Sequence, residues 1–168
     1  GSRQPISVAD PTSQIEVSSG AGQSPLTLEP HPSAMVTQEQ LDALDLMLWL
    51  GTTQQAAERL RCNQATVSRR IAGCLAPLGL KLRRSGPQHS FSGPVDLLAM
   101  ERQIHQLVRL RHSRQLRLEA THCTAHLLVH PPLEGWILGS FDHHGVARMH
   151  ELLRQRIVDA WLSSDTFD

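Results

Sequence analysis

Residues 53–71 read TQQAAERLRCNQATVSRRI and place Gln64, Thr66, Ser68, Arg69 and Arg70 along one side of a predicted helix. These side chains can read nucleic acid. Glutamine pairs bidentately with adenine, arginine with guanine, and a threonine or alanine methyl touches the thymine methyl. Gln64, Ala65, Thr66 and Arg69 are therefore predicted nearest the base edges. Ser68 and Arg70 suit phosphate contacts, which position a protein without specifying sequence. Thr53 and Gln54, which open the preceding helix, complete this face. Lys81, Arg83, Arg84 and His89 form a second basic group expected to meet the backbone or the minor groove.

Two short helices and a turn must hold those residues. Ala56 and Ala57 are small and let two helices approach closely, and Leu60 closes the first onto a core. Val67 and Ile71, four apart, face inward from the second. Arg61, Cys62 and Asn63 make the three-residue turn between them. Upstream, Thr37-Gln38-Glu39-Gln40 is a capping box, and Leu41, Leu44 and Leu48, with Met47 alongside, predict a helix ending near Gly51. Thr52-Thr53-Gln54-Gln55 repeats the capping signal, and Asn63 suits the N-cap of the third helix. That helix is expected to reach about Ala76, where Pro77 ends or bends it. Residues 80–92 alternate loosely around Ser85-Gly86-Pro87 and predict a β-hairpin.

Residues 95–112 predict an amphipathic helix of about 18 residues, ~27 Å long. Leu97, Met100, Ile104, Leu107 and Arg111 give its stripe, widened by Leu98, Val108 and Leu110. No intrachain element of matching length is evident, so a second copy is the predicted partner, with packing onto its own small domain as the alternative. Beyond it, residues 116–120 and 136–141 predict strands. A helix starting near Thr124 is interrupted by Pro131-Pro132, and residues 148–162 predict an amphipathic helix. The β-α-β-α order opens an α/β sheet, with another strand expected after the C-terminal helix.

Charge follows the same division. The 168 residues are formally neutral, but residues 1–52 carry one Arg against six acids, net −5. Residues 53–112 carry ten Lys/Arg against three acids, net +7, and residues 113–168 five Arg against seven acids, net −2. The basic charge concentrates around the predicted nucleic-acid face. Cys62, Cys74 and Cys123 show no CxxC spacing, and their odd number fits a reducing compartment. No apolar run approaches the ~18–20 residues of a membrane span, and no positively charged n-region followed by an apolar core appears at the start. No P-loop, GxSxG, HExxH or glycine-rich fingerprint suggests an enzyme. His122, His126 and His130, with Cys123 alongside, repeat at helical spacing, but no familiar tetrahedral set is completed, so no metal or other cofactor is expected. His143-His144-Gly145 reads as a turn. Trp49, Trp136 and Trp161 read as core or interface residues.

From Leu41 to Arg111 the chain resembles the LysR-type transcriptional regulators. The family's glycine and hydroxyl residue before the second helix match Gly51-Thr52, and its paired alanines match Ala56-Ala57. Glu58-Arg59-Leu60 follows as in the family. Its Ser-Gln-Pro-Ala-Val-Ser-Arg-Gln-Ile recognition segment corresponds to Asn63–Ile71, and its Leu-Gly-x-x-Leu to Leu78–Leu82. The chain departs from the pattern at Leu75, at Arg83 and Ser85, and in a hairpin about one residue shorter.

The resemblance implies a mainly α fold: a winged helix-turn-helix at residues 35–93, a linker and dimerisation helix at 94–112, and an incomplete α/β effector-like segment at 113–168. Residues 1–34, rich in Ser, Pro, Gly, Gln and Thr, are read as a disordered extension or cloning leader. The expected function is a sequence-specific regulator binding double-stranded DNA as a homodimer through Leu97, Met100, Ile104, Leu107 and Arg111. The expected location is the bacterial cytoplasm, associated with the nucleoid. About fifty residues after the linker cannot build the family's two-lobed cleft, so no small-molecule co-inducer is expected. The alternative is an interaction module that heterodimerises through the linker helix and modulates another regulator.

Overall fold

The computed structural model describes residues 36–85, 88–129, 133–141 and 145–164. The predicted 1–34 extension, the hairpin tip Gly86-Pro87, His130, Pro131-Pro132, His143-His144 and the terminal Phe167-Asp168 lie outside them.

Helix α1 (Gln38–Leu50) starts at the capping box. The Gln40 amide donates to Thr37 Oγ1 at 3.3 Å, and the Thr37 amide donates to Gln40 Oε1 at 3.0 Å. Gly51 ends the helix at φ 94°, a left-handed conformation in which its amide reaches the Met47 carbonyl at 2.9 Å. Helix α2 (Thr53–Leu60) is capped by Thr52, and α3 (Gln64–Leu75) by Asn63. Strands β1 (Lys81–Ser85) and β2 (Gln88–Ser92) pair antiparallel, with Leu82 opposite Phe91. Helix α4 covers Asp96–His112.

The remaining elements are β3 (Leu116–Ala120), α5 (His122–Val129), β4 (Trp136–Leu138), α6 (Val146–Arg154) and β5 (Ala160–Leu162). Their three strands form a parallel sheet in the order β4-β3-β5. The structure is thus mainly helical with a partial α/β segment.

Helix α1 is central. Every residue from Ala43 to Leu50 is buried, not only the stripe seen in the sequence. Its two sides serve two neighbours. Ala56, Ala57, Val67, Ile71 and Cys74 share its core from α2 and α3, while Met149, Leu152, Ile157 and Val158 join it from the C-terminal segment. Burial pushes the Cys74 thiol up to about 12, with Asp45 adding to the shift, so this cysteine is a small core residue and not a nucleophile.

Three sequence expectations need correction. Residues 148–162 are not one helix: α6 ends at Arg154, Arg156 turns left-handed at φ 60°, and Ala160–Leu162 is a strand. Pairing of β5 with β3, and a 2.9 Å bond from the Asp159 amide to the Arg117 carbonyl, outweigh the local helical period. The strand expected beyond the C-terminal helix is therefore inside the segment read as helix. Strand β4 is three residues long, not the six of 136–141. A Cβ on Gly139 would lie 2.0 Å from Glu119 Oε2, and Phe141 has φ 59°, so the chain turns away there. Leu98 does not widen the exposed stripe of α4. It is 2% exposed and faces the core.

Candidate nucleic-acid interface

Helix α3 is built to present one face. Asn63 accepts the Thr66 amide at 2.7 Å, satisfying one free N–H of the first turn. Val67, Ile71, Cys74 and Leu75 are buried and fix the rotation of the helix. That rotation leaves Gln64, Ala65, Ser68 and Arg69 exposed, with Thr66 and Arg70 half-buried at their flank. The six predicted residues therefore share one surface, in steps of one and four that follow the helical repeat.

Side-chain bonds order part of this face. Gln64 Nε2 donates to Thr53 Oγ1 at 2.6 Å, joining the starts of α2 and α3. Arg69 Nη2 donates to Thr66 Oγ1 at 3.1 Å. Gln54 Nε2 donates to Glu58 Oε1 at 3.1 Å along its own helix. Arg61, in the turn, adopts φ 51°, a left-handed conformation that a non-glycine residue takes at a cost. Among the described residues, Arg69, Arg70, Lys81 and Arg83 form no ion pair.

The hairpin does not gather its four predicted cations onto one side. Successive residues of a strand alternate faces. Lys81 and Arg83 lie on one face, while Arg84 and its cross-strand neighbour His89 lie on the other, with Leu82 and Phe91. Lys81, Arg83 and Arg84 are exposed and His89 is half-buried. Burial lowers the His89 pKa, and Arg84 and Arg148 lower it further.

Helix α4 has two characters. Leu97, Met100, Ile104 and Leu107 are 47%, 61%, 56% and 58% exposed, and Arg111 is exposed. On its other side Arg102 and Arg109 are each 4% exposed. Arg102 Nε donates to Asp45 Oδ1 at 2.8 Å. Arg109 grips both oxygens of Asp159, at 2.9 and 2.8 Å. One face of this helix thus packs on its own chain, and the apolar stripe is left open.

Sequence reasoning missed these buried arginines. It also missed Arg59, whose guanidinium donates to the Leu138 carbonyl and, at 3.1 Å, to that of Gly139. Their partners lie 50 to 80 residues away, beyond any local period. Of the tryptophans, Trp49 is fully buried, and Trp136 and Trp161 are half-buried. His122, Cys123 and His126 are exposed, and no group of three His, Cys, Asp or Glu able to hold a metal occurs among the described residues. Among the described residues no helix is long and apolar enough to cross a membrane.

No family model matches the chain. No curated protein sequence matches it either. Similar solved structures include full-length OxyR from Pseudomonas aeruginosa, at 15% identity and TM-score 0.45, covering 74% of this chain and 49% of that one. CrgA, a LysR-type transcriptional regulator from Neisseria meningitidis, is 17% identical with a TM-score of 0.31, over 79% and 44% of the two chains. DarR from Vibrio fischeri, solved in complex with DNA, is 20% identical with a TM-score of 0.31, over 79% and 51%. The chain spans about half the length of these proteins.

Proposed function

We propose that this chain is a sequence-specific DNA-binding transcriptional regulator of LysR type. The observation that carries the reading is the exposed row Gln64, Ala65, Ser68 and Arg69 on α3, set by a fully buried opposite side and free of ion pairs among the described residues. In this reading residues 35–93 act as a winged helix-turn-helix. Helix α3 enters the major groove, with Gln64, Ala65, Thr66 and Arg69 toward base edges. Thr53, Gln54, Ser68 and Arg70 flank it at the phosphates. Of the hairpin residues, Lys81 and Arg83 approach the backbone together, while Arg84 and His89 contact it from the other face.

Residues 94–112 act as the linker, and the stripe Leu97, Met100, Ile104, Leu107 and Arg111 pairs with a second copy. Two α3 helices then address successive major grooves of a pseudo-palindrome. An apolar row this exposed on a 17-residue helix favours a partner helix over solvent. Residues 113–168 belong to an effector-like segment.

The test is binding of the purified chain to duplexes selected from a random pool, over a salt series. The expected result is a site bound at least ~10³-fold tighter than random duplex, with a steep salt slope. Weak and indiscriminate binding at all salt concentrations would overturn the reading and leave a heterodimerising interaction module in its place. For the interface, Ile104→Arg is expected to give a folded monomer by sedimentation, and an unchanged dimer would move the interface off α4.

A further inference from the structure

Strand β3 meets α1 with its charged side. Leu116, Leu118 and Ala120 alternate with Arg117 and Glu119, and the last two reach α1. Arg117 donates to Asp45 Oδ2 at 3.1 Å and to Asp42 Oδ1 at 2.5 Å. Glu119 Oε2 accepts from Trp49 Nε1 at 2.8 Å. Asp42, Asp45 and Trp49 are spaced by three and four, so they form one row on α1. Around that row, Arg148 of α6 donates to the Leu48 carbonyl at 2.6 Å, and Arg59 of α2 donates to the Leu138 and Gly139 carbonyls at the end of β4.

A permanent layer contact is ordinarily apolar. Here the sheet offers α1 two charged side chains; the fully buried apolar part comes from Met149, Leu152, Ile157 and Val158, and from the sheet Ile137 and Trp161 pack against it half-buried. Polar groups of this kind are well solvated on separation, which lowers the cost of parting. The docked arrangement is also incompletely satisfied: among the described residues Arg117 Nε and Ser140 Oγ are buried without a hydrogen-bond partner. Burial pushes the Asp42 carboxyl up, against the pull of Arg117. Asp45 is shared. It holds Arg117 of the sheet and also Arg102 of α4, so it keeps a cationic partner when the sheet leaves.

We propose that the β3–β5 segment is a releasable clamp on α1, and that in its docked form it holds Arg59 on the β4 carbonyls. Released, Arg59 is freed on the helix next to α3, where it adds one phosphate contact.

The test uses the full chain carrying Asp42→Asn with Arg117→Gln, which removes one charge of each sign and leaves the Asp45–Arg102 pair. By hydrogen exchange, β3 and β5 amides are expected to exchange about tenfold faster while α1 and α3 amides keep their protection. Joint loss of protection in β3–β5 and α1–α3 would show one indivisible body and overturn the proposal. No change in β3–β5 would overturn it too. A second arm rests on the DNA-binding reading and uses a random-sequence duplex as probe. Arg59→Gln is expected to weaken binding about threefold more in the released background than in the parent, and to lower the salt slope by about one only there. Equal effects in both backgrounds would overturn the proposal. Absence of DNA binding in every variant would defeat the DNA reading alone, since hydrogen exchange still decides the clamp.

Discussion

Arg69 on α3 and Arg117 on β3 carry the same guanidinium, yet Arg69 is exposed while Arg117 is 1% exposed. Among the described residues Arg69 bonds within its own helix, to Thr66. Arg117 bonds to Asp42, Asp45 and the Ile157 carbonyl, and its charge is held by the two carboxylates against the cost of burial. Arg102 and Arg109 follow Arg117, while Arg70, Lys81 and Arg83 follow Arg69. The difference separates two uses of one side-chain type. A cation neutralised inside the chain fixes the fold, and one left without an internal counter-charge is available to a polyanion. Net charge alone conceals this division, because the whole sequence sums to zero.

The contrast breaks most visibly at Arg117. Arg117→Met removes the ion-pair partner of Asp42 and one of the two arginines that hold Asp45, and is expected to cost about 3–5 kcal/mol of stability in urea unfolding. A loss below about 1 kcal/mol would place Arg117 with the surface cations.

At Arg69 the effects should fall on the other side. Arg69→Ala is expected to leave stability within about 0.5 kcal/mol. On a panel of duplexes with single base changes it should remove about 1–3 kcal/mol of discrimination at one position. A uniform loss across the panel would make Arg69 a phosphate contact.

Asn63→Ala joins the two kinds of effect. It removes the bond to the Thr66 amide and is expected to cost about 1 kcal/mol, with weaker DNA binding as the first turn of α3 frays. Unaltered unfolding would show that the cap is replaced by solvent.

The smallest effect is a pH dependence at His89. Its folded pKa lies below the ordinary histidine value through burial, Arg84 and Arg148, so the unfolded chain takes up the proton at higher pH. Its contribution is present above the unfolded pKa and is lost as pH falls toward the folded one. His89→Gln should therefore flatten the fall in stability measured between about pH 7 and 5. Equal slopes in the two proteins would remove His89 from the account.

What could be read in advance was local. Thr37 with Gln40, Asn63, Gly51 and the Val67–Ile71 spacing act over one or two turns, and each places its element where the sequence puts it. The inward rotation of α3, and with it the exposed row at Gln64–Arg69, follows from those signals. The hairpin faces do not, because their alternation depends on the β1–β2 register. The buried arginines were illegible for a similar reason. In sequence Arg102, Arg109 and Arg117 resemble solvated charges, and only tertiary pairing brings their acids within reach. The strand Ala160–Leu162 was hidden because Met149, Leu152, Leu153 and Ile157 continue a helical period up to it. Its strand state comes from β3, far away in the chain.

The exposed α3 row is expected to meet DNA while the buried arginines do not, and amide NMR of the chain titrated with its selected duplex tests this. The expected result is salt-sensitive shifts at Gln64–Arg70 and along Lys81–His89, with the amides of Arg102, Arg109 and Arg117 unmoved. Shifts confined to α4 and the β3–β5 sheet, or none at all, would contradict it.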